Sequence, residues 1–121
     1  MDIECLAQRF SICKVEDFSA FRPRGGCWFI AGTDAERSLV CEEGDVPANA
    51  LERSDGWRAF RVAGVLDFSL VGVLANLSAL LAQSGVGIFA VSTYNTDYIL
   101  TREGDYTRAL EALARGGHRV R

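Results

Sequence analysis

Two segments of this chain occur twice. Leu39-Val40-Cys41-Glu42-Glu43-Gly44-Asp45 has a counterpart in Ile99-Leu100-Thr101-Arg102-Glu103-Gly104-Asp105, and Val15-Glu16-Asp17-Phe18-Ser19 has one in Val65-Leu66-Asp67-Phe68-Ser69. The first pair is displaced by 60 residues and the second by 50. Unequal displacements point to one supersecondary unit used twice, with about ten residues missing inside the first copy. Duplicated small α/β units tend to bind ligands where the copies face each other.

The 121 residues suffice for one ordinary domain, or two very small ones sharing a core. A net charge of −3 argues against non-specific nucleic-acid binding, which needs a basic face. The acidic start Met1-Asp2-Ile3-Glu4 lacks the basic region of a secretory signal. The longest apolar run, Leu70 to Ala82, is interrupted by Asn76 and Ser78 and is too short to span a bilayer. A cytoplasmic protein without membrane contact is expected. The cysteines at 5, 13, 27 and 41 form no Cys-x-x-Cys pair, and His118 is the only histidine. That set does not suit zinc, so no metal or cofactor is expected and the cysteines read as small buried hydrophobes.

In the second half, Trp57 to Ala63 alternates like a strand, and Gly64 to Asp67 is a turn. Apolar residues at 70, 73, 74, 77, 80 and 81 predict a helix from Leu70, capped by Asp67 or Ser69, with Gly72 inside it. Gly85 supplies a left-handed stop. Val86 to Thr93 reads as a central strand, Tyr94 to Asp97 as a turn, and Tyr98 to Thr101 as its hairpin partner. Asp105 is expected to cap a second helix that Gly116-Gly117 ends, with a short edge strand at His118 to Val120. Phe60 and Phe89 read as core, Arg58 and Arg61 as solvated strand residues, and His118 as exposed and without a role.

The first half follows the same plan in shortened form. Phe10 to Val15 is a strand, and Pro23 with Gly25-Gly26 leaves room for one helical turn at most. Cys27 to Ala31 and Ser38 to Cys41 form a hairpin turning near Gly32-Thr33-Asp34. Val46 to Leu51 is a candidate short helix, and Arg53 to Gly56 the junction between copies. The predicted class is α+β, ferredoxin-like (βαββαβ), as a tandem pair: residues 1–55 an abbreviated module, residues 56–121 a complete one.

Gly56-Trp57-Arg58, Leu66-Asp67-Phe68-Ser69, Gly85-Val86-Gly87-Ile88-Phe89 and above all Ser92-Thr93-Tyr94-Asn95-Thr96-Asp97-Tyr98 resemble the ACT-domain family. The resemblance is closest to small bacterial tandem-ACT proteins, and extends to the ACT modules of the CASTOR arginine sensors and of aspartate kinase regulatory domains. It is strong over Trp57 to Val120 and weaker over Leu6 to Val46. It implies a non-catalytic regulatory protein that senses a free amino acid at an interface between ACT modules, as a homodimer or larger homo-oligomer, with a protein target of regulation as a further partner. Carried over residue by residue, the ligand contacts fall on Asp67, Phe68 and Ser69, on Gly85, Val86, Gly87 and Ile88, and on Thr93, Asn95 and Asp97.

The residue chemistry suits a zwitterion. Backbone N–H groups opening the helix from Leu70 would take the carboxylate, with the Ser69 hydroxyl as a further donor. Gly85 and Gly87 leave main-chain groups uncovered. Asp97 or Asp67 would pair with the ammonium. Each position also has a structural explanation: Asp67 and Ser69 as a cap, Gly85 as a stop, Asn95 and Asp97 as hairpin formers. Among rival functions, a phosphate-handling enzyme on this fold would need an arginine-bearing loop where Gly64-Val65-Leu66-Asp67 stands, and no nucleophile–base pair is present. An RNA binder would need a basic sheet face. A structural interaction module without ligand remains a distinct alternative.

Overall fold

The computed structural model describes residues 1–121, in chain order β1 (Asp2–Cys5), β2 (Phe10–Val15), β3 (Phe29–Gly32), β4 (Arg37–Glu42), a 3-10 turn (Glu43–Asp45), β5 (Ala50–Val62), α1 (Val73–Gln83), β6 (Ile88–Ser92), β7 (Asp97–Arg102), α2 (Glu103–Arg115) and β8 (Arg119–Val120). The chain divides into two compact units, Met1–Ala7 with Arg58–Arg121, and Gln8–Trp57. No helix is long and apolar enough to cross a membrane.

The first unit has the strand order β6-β7-β5-β1-β8. β1 runs antiparallel to β5 through Ile3↔Val62 and Cys5↔Phe60, and parallel to β8 through Ile3↔Val120. Ile3, Phe60, Val62 and Ile99 from the strands meet Leu77 and Leu81 of α1 and Tyr106, Ala109 and Leu113 of α2 in one core. The spacing of those helical residues places them on one face of each helix, which is what holds both helices on the sheet. This is the α+β, ferredoxin-like arrangement the sequence predicts, with β1 inserted beside the first strand of the motif.

Strand β1 is not anticipated from sequence. Its four residues hold one fully buried apolar side chain, Ile3, and two acids that reach arginines on neighbouring strands. Asp2 lies 2.9 Å from Arg119, and Glu4 lies 3.1 Å from Arg61. So residues 1–7, assigned by the sequence to the N-terminal module, pack with the C-terminal one. The polar run Arg53 to Gly56, expected as a junction, lies within β5.

Several elements differ from expectation for identifiable reasons. Helix α1 starts at Val73, not Leu70, because Gly72 takes a left-handed conformation at φ +81° and serves as the N-cap. Upstream, the Ser69 N–H donates to Asp67 Oδ1 (2.8 Å) and the Leu70 N–H to the Asp67 carbonyl (3.0 Å), a side-chain-directed turn that competes with helix. Neither Asp67 nor Ser69 caps α1. Helix α2 begins at Glu103 with Arg102 as N-cap, and Asp105 sits inside its first turn, 2.9 Å from Arg108. Val46 to Leu51 is not helical: Val46 is extended before Pro47, as residues before proline tend to be, and Ala50 already starts β5. Strand β6 pairs with β7 alone, so it is not central, and Phe89 is only half-buried. His118 is half-buried and lies 2.8 Å from Asn76 Oδ1; burial, then the nearby N-terminal ammonium, holds its pKa below the usual histidine value.

The second unit has the strand order β3-β4-β2-β5. Its core of Cys13, Val15, Leu39 and Cys41 is packed by Phe18, Phe21, Val46 and Ala50, with no helix. Cys13 and Cys41 are buried, Cys5 and Cys27 half-buried, and all four are free thiols.

Because Leu81 is fully buried between α1 and the sheet while Leu51 is largely exposed, their truncations should separate cleanly. In denaturant unfolding, Leu81→Ala is expected to cost about 2–5 kcal/mol. Leu51→Ala is expected to stay within about 0.5 kcal/mol of the parent.

Candidate functional site

A groove of about 310 Å3 opens in the first unit where three segments meet: the loop after β5, the first turn of α1, and the end of the β6–β7 hairpin. That volume is at the low end of the roughly 300–1,000 Å3 usual for small-molecule sites. A second depression, about 230 Å3, lies beside the C-terminal ends of both helices and offers one charged group, Arg115.

The hairpin wall is built from hydroxyl groups. The Thr93 N–H and hydroxyl both donate to the Thr96 carbonyl (2.8 and 3.0 Å), and the Thr96 N–H donates back to Thr93 Oγ1 (3.3 Å). The buried Thr96 hydroxyl donates to the Val62 carbonyl at 2.7 Å, fastening the turn to β5. Ser92 donates to Asp97 Oδ1 at 2.6 Å across the strand pair. The loop wall is tied to this hairpin by the Leu66 N–H, 2.6 Å from the Asn95 carbonyl. Above it, the Phe68 and Tyr94 rings meet edge-on with centroids 4.9 Å apart, although each side chain is more than 70% exposed (74% and 79%).

Two carboxylates, Asp67 and Asp97, are the only formal charges on the walls. Bonds from the Ser69 backbone N–H, then from its hydroxyl, hold the Asp67 carboxyl below the ordinary carboxylate range. The α1 N-terminus forms the groove floor through residues 72–75, and no side chain caps it. Uncapped first-turn N–H groups and the helix dipole favour an anionic group there.

Of the residues expected from sequence to contact a ligand, the groove brings together Asp67, Phe68, Thr93, Asn95 and Asp97. Ser69 lies outside its walls, bonded to Asp67. Gly85, Val86, Gly87 and Ile88 lie at the far end of α1. There Gly85, at φ +71°, terminates the helix, with its N–H on the Ala82 carbonyl and the Val86 N–H on the Leu81 carbonyl. Arg108 donates to the Ser84 carbonyl (3.1 Å) and the Gly85 carbonyl (3.4 Å), so this main chain is occupied by the protein itself. The sequence reasoning missed Tyr94 and Thr96, and placed the helix opening that it offered to a carboxylate at Leu70 where the structure has Val73. Tyr94 could have been found as an aromatic placed at the tip of a polar turn. Gly72 could not, because a glycine at helical spacing does not announce that it begins the helix. No group of three or more His, Cys, Asp or Glu side chains is gathered for a metal.

The family model of the ACT domain matches residues 52–115. No curated protein matches the chain. Among solved structures, it is similar to Atu0741 from Agobacterium tumefaciens, with TM-score 0.85 and 29% identity over 99% of this chain and 91% of that one. It also resembles VC0802 from Vibrio cholerae, a protein of unknown function described as a possible transport protein (TM-score 0.75, 20% identity, 94% and 88% coverage). The ligand-free regulatory subunit of aspartate kinase from Thermus thermophilus shares the fold at TM-score 0.67 and 12% identity, over 95% and 96% of the two chains.

Two substitutions check this geometry. Thr96→Val leaves the Val62 carbonyl without its buried donor, and is expected to cost about 1–3 kcal/mol in thermal or denaturant unfolding. Ser69→Ala removes one of the two bonds on Asp67. In a carbon-detected NMR titration the Asp67 carboxyl should move part of the way up toward the ordinary carboxylate pKa, since the stronger backbone bond remains. The sign follows from the depressed pKa: the turn's stabilisation is present above the ordinary carboxylate pKa and is lost as pH falls through the lowered one.

Proposed function

From its membership of the ACT-domain family, to which this chain belongs, we propose that the protein is a non-catalytic regulatory module whose groove binds a free amino acid. The observation that carries this reading is the convergence of two carboxylates with an uncapped helix N-terminus around one small cavity. Asp67 and Asp97 hold the ammonium through charge-assisted hydrogen bonds. First-turn N–H groups of α1 receive the carboxylate. Phe68 and Tyr94 supply apolar contact for the side chain. Thr93 and Asn95 add hydrogen-bonding capacity at the hairpin wall.

The proposal takes Gln8–Trp57 as a second, abbreviated ACT module. Its strands β3-β4-β2 follow the same order as β6-β7-β5 of the first unit. Local geometry supports the duplication. Thr33 N–H and hydroxyl bond to the Glu36 carbonyl (2.9 and 3.2 Å) as Thr93 does to Thr96, and the Ser19 N–H bonds to Asp17 Oδ1 (3.0 Å) as Ser69 does to Asp67. Self-association belongs to the same reading, because β6 is an uncharged strand with one partner and offers a template for another chain. A cytoplasmic location, and a protein target that reads the ligand-bound state, complete the proposal.

Calorimetric titration with each of the twenty common amino acids tests it. At least one should bind and raise Tm as binding to the folded state requires. Asp67→Asn and Asp97→Asn should each weaken that binding by about ten- to a hundredfold. Absence of binding by every amino acid would reject the sensing role and leave a protein-interaction module.

A further inference from the structure

We propose that residues 65–71 are a hinged lid over the groove, and that each chain carries one ligand site because the matching strap of the second unit is fixed shut. The inference rests on reading the groove as a ligand site.

The segment is bracketed by Gly64 and Gly72, at φ +86° and +81°. Nothing lies within reach of a Cβ placed on either, so the left-handed backbone, not packing, requires glycine at both ends. Between them Val65, Phe68, Leu70 and Val71 are exposed, Val71 at 91%. Covering these side chains would remove apolar surface from water, so closure of the segment is favoured wherever a surface is there to receive it. Leu66 anchors the start of the segment, packing against the core and donating its N–H to the Asn95 carbonyl; past it, Phe68 meets Tyr94 edge-on.

The chain contains its own comparison. Residues 15–21 repeat the segment at the 50-residue displacement, with the same aspartate-serine turn, but Lys14 and Arg22 stand where the glycines are. Phe18 and Phe21, the counterparts of Phe68 and Val71, pack onto Cys13, Val15, Leu39 and Cys41. Phe18 comes within 3.9 Å of where a Cβ on Gly32 would sit, and Phe21 meets Trp28 edge-on at 5.4 Å. Asp17 is occupied by Ser19 and by Asn49 Nδ2 at 3.2 Å. The Arg22 guanidinium folds back onto the Ser19 and Phe21 carbonyls at 2.7 and 3.0 Å, which stiffens the strap at the position where the other has a glycine. The same segment therefore stands in two positions: its apolar side chains packed onto the core in one unit, exposed between glycine hinges in the other. A ligand in the groove supplies the surface against which Phe68 and Val71 become buried.

Limited chymotrypsin digestion of the full chain, read by mass spectrometry, tests this alone and with each common amino acid at millimolar concentration. Without ligand, the first cut should fall after Phe68 or Leu70, and not after Phe18 or Phe21. Arg22→Gly should open the second strap and make Phe18 and Phe21 cleavable. The amino acid that binds should do so once per chain by calorimetry, and should slow the cut at Phe68 and Leu70 severalfold, because cleavage follows the open population. A first cut after Phe18 or Phe21 would overturn the contrast between straps. A ligand that binds twice per chain, or binds without slowing the cut, would overturn the lid and leave the groove's ligand role intact. Failure of all amino acids to bind would overturn both.

Discussion

The bond from the buried Thr96 hydroxyl to the Val62 carbonyl is the constraint on which the groove depends. A hairpin tip held only by its own turn would be free to tilt away from the sheet. Anchoring Thr96 to β5 sets the tip beside the chain that leaves β5, and there Asn95 can receive the Leu66 N–H. The loop is thereby held facing the start of α1, and the three walls of the groove follow. A buried hydroxyl and a buried carbonyl satisfy each other at this point, so loss of either partner leaves the other desolvated without compensation.

The two units show how one local grammar serves two outcomes. Hydroxyl-based turns at Thr33 and Thr93, and aspartate-serine turns at Asp17 and Asp67, have nearly the same bonds. What differs is what covers the sheet. In the first unit, α1 and α2 place Leu77, Leu81, Ala109 and Leu113 on it, and of the strap only Leu66 packs against that core. In the second, the helices are absent and Phe18 and Phe21 take their place over Cys13 and Leu39. The strap's larger apolar side chains, Phe18 and Phe21, are core where helices are missing, and their counterparts Phe68 and Val71 are on the surface where helices are present. The hydrophobic effect requires that the sheet be covered, and does not specify by which segment.

Much of this was legible in the chain. The period of apolar residues located both helices, the polar run 94–97 located the hairpin turn, and Gly85 and Gly116 located the helix ends. Local chemistry misled where two local rules compete. Asp67 satisfies the rule for a helix cap and the rule for a tight turn, and the turn won because Gly72, in its left-handed conformation, delays the helix. Strand β1 was silent because it carries one buried apolar residue, Ile3, and its acids make sense only beside Arg61 and Arg119 from distant parts of the chain. Gly85 looked like an open main-chain surface. Nothing in its own sequence discloses that Arg108, on the other helix, bonds the carbonyls at 84 and 85.

By itself the sequence determined the class of fold and pointed to five of the residues around the groove, because each is written in periodicity or in turn chemistry. Only the tertiary structure decided which of those residues share a cavity, that the first seven residues belong with the last sixty-four, and that Phe18 and Phe21 are packed while Phe68 and Val71 are exposed. Those outcomes depend on pairings between residues far apart in the chain. A burial pattern read along the chain reports that a side chain needs a partner, and the folded arrangement alone determines which one it meets.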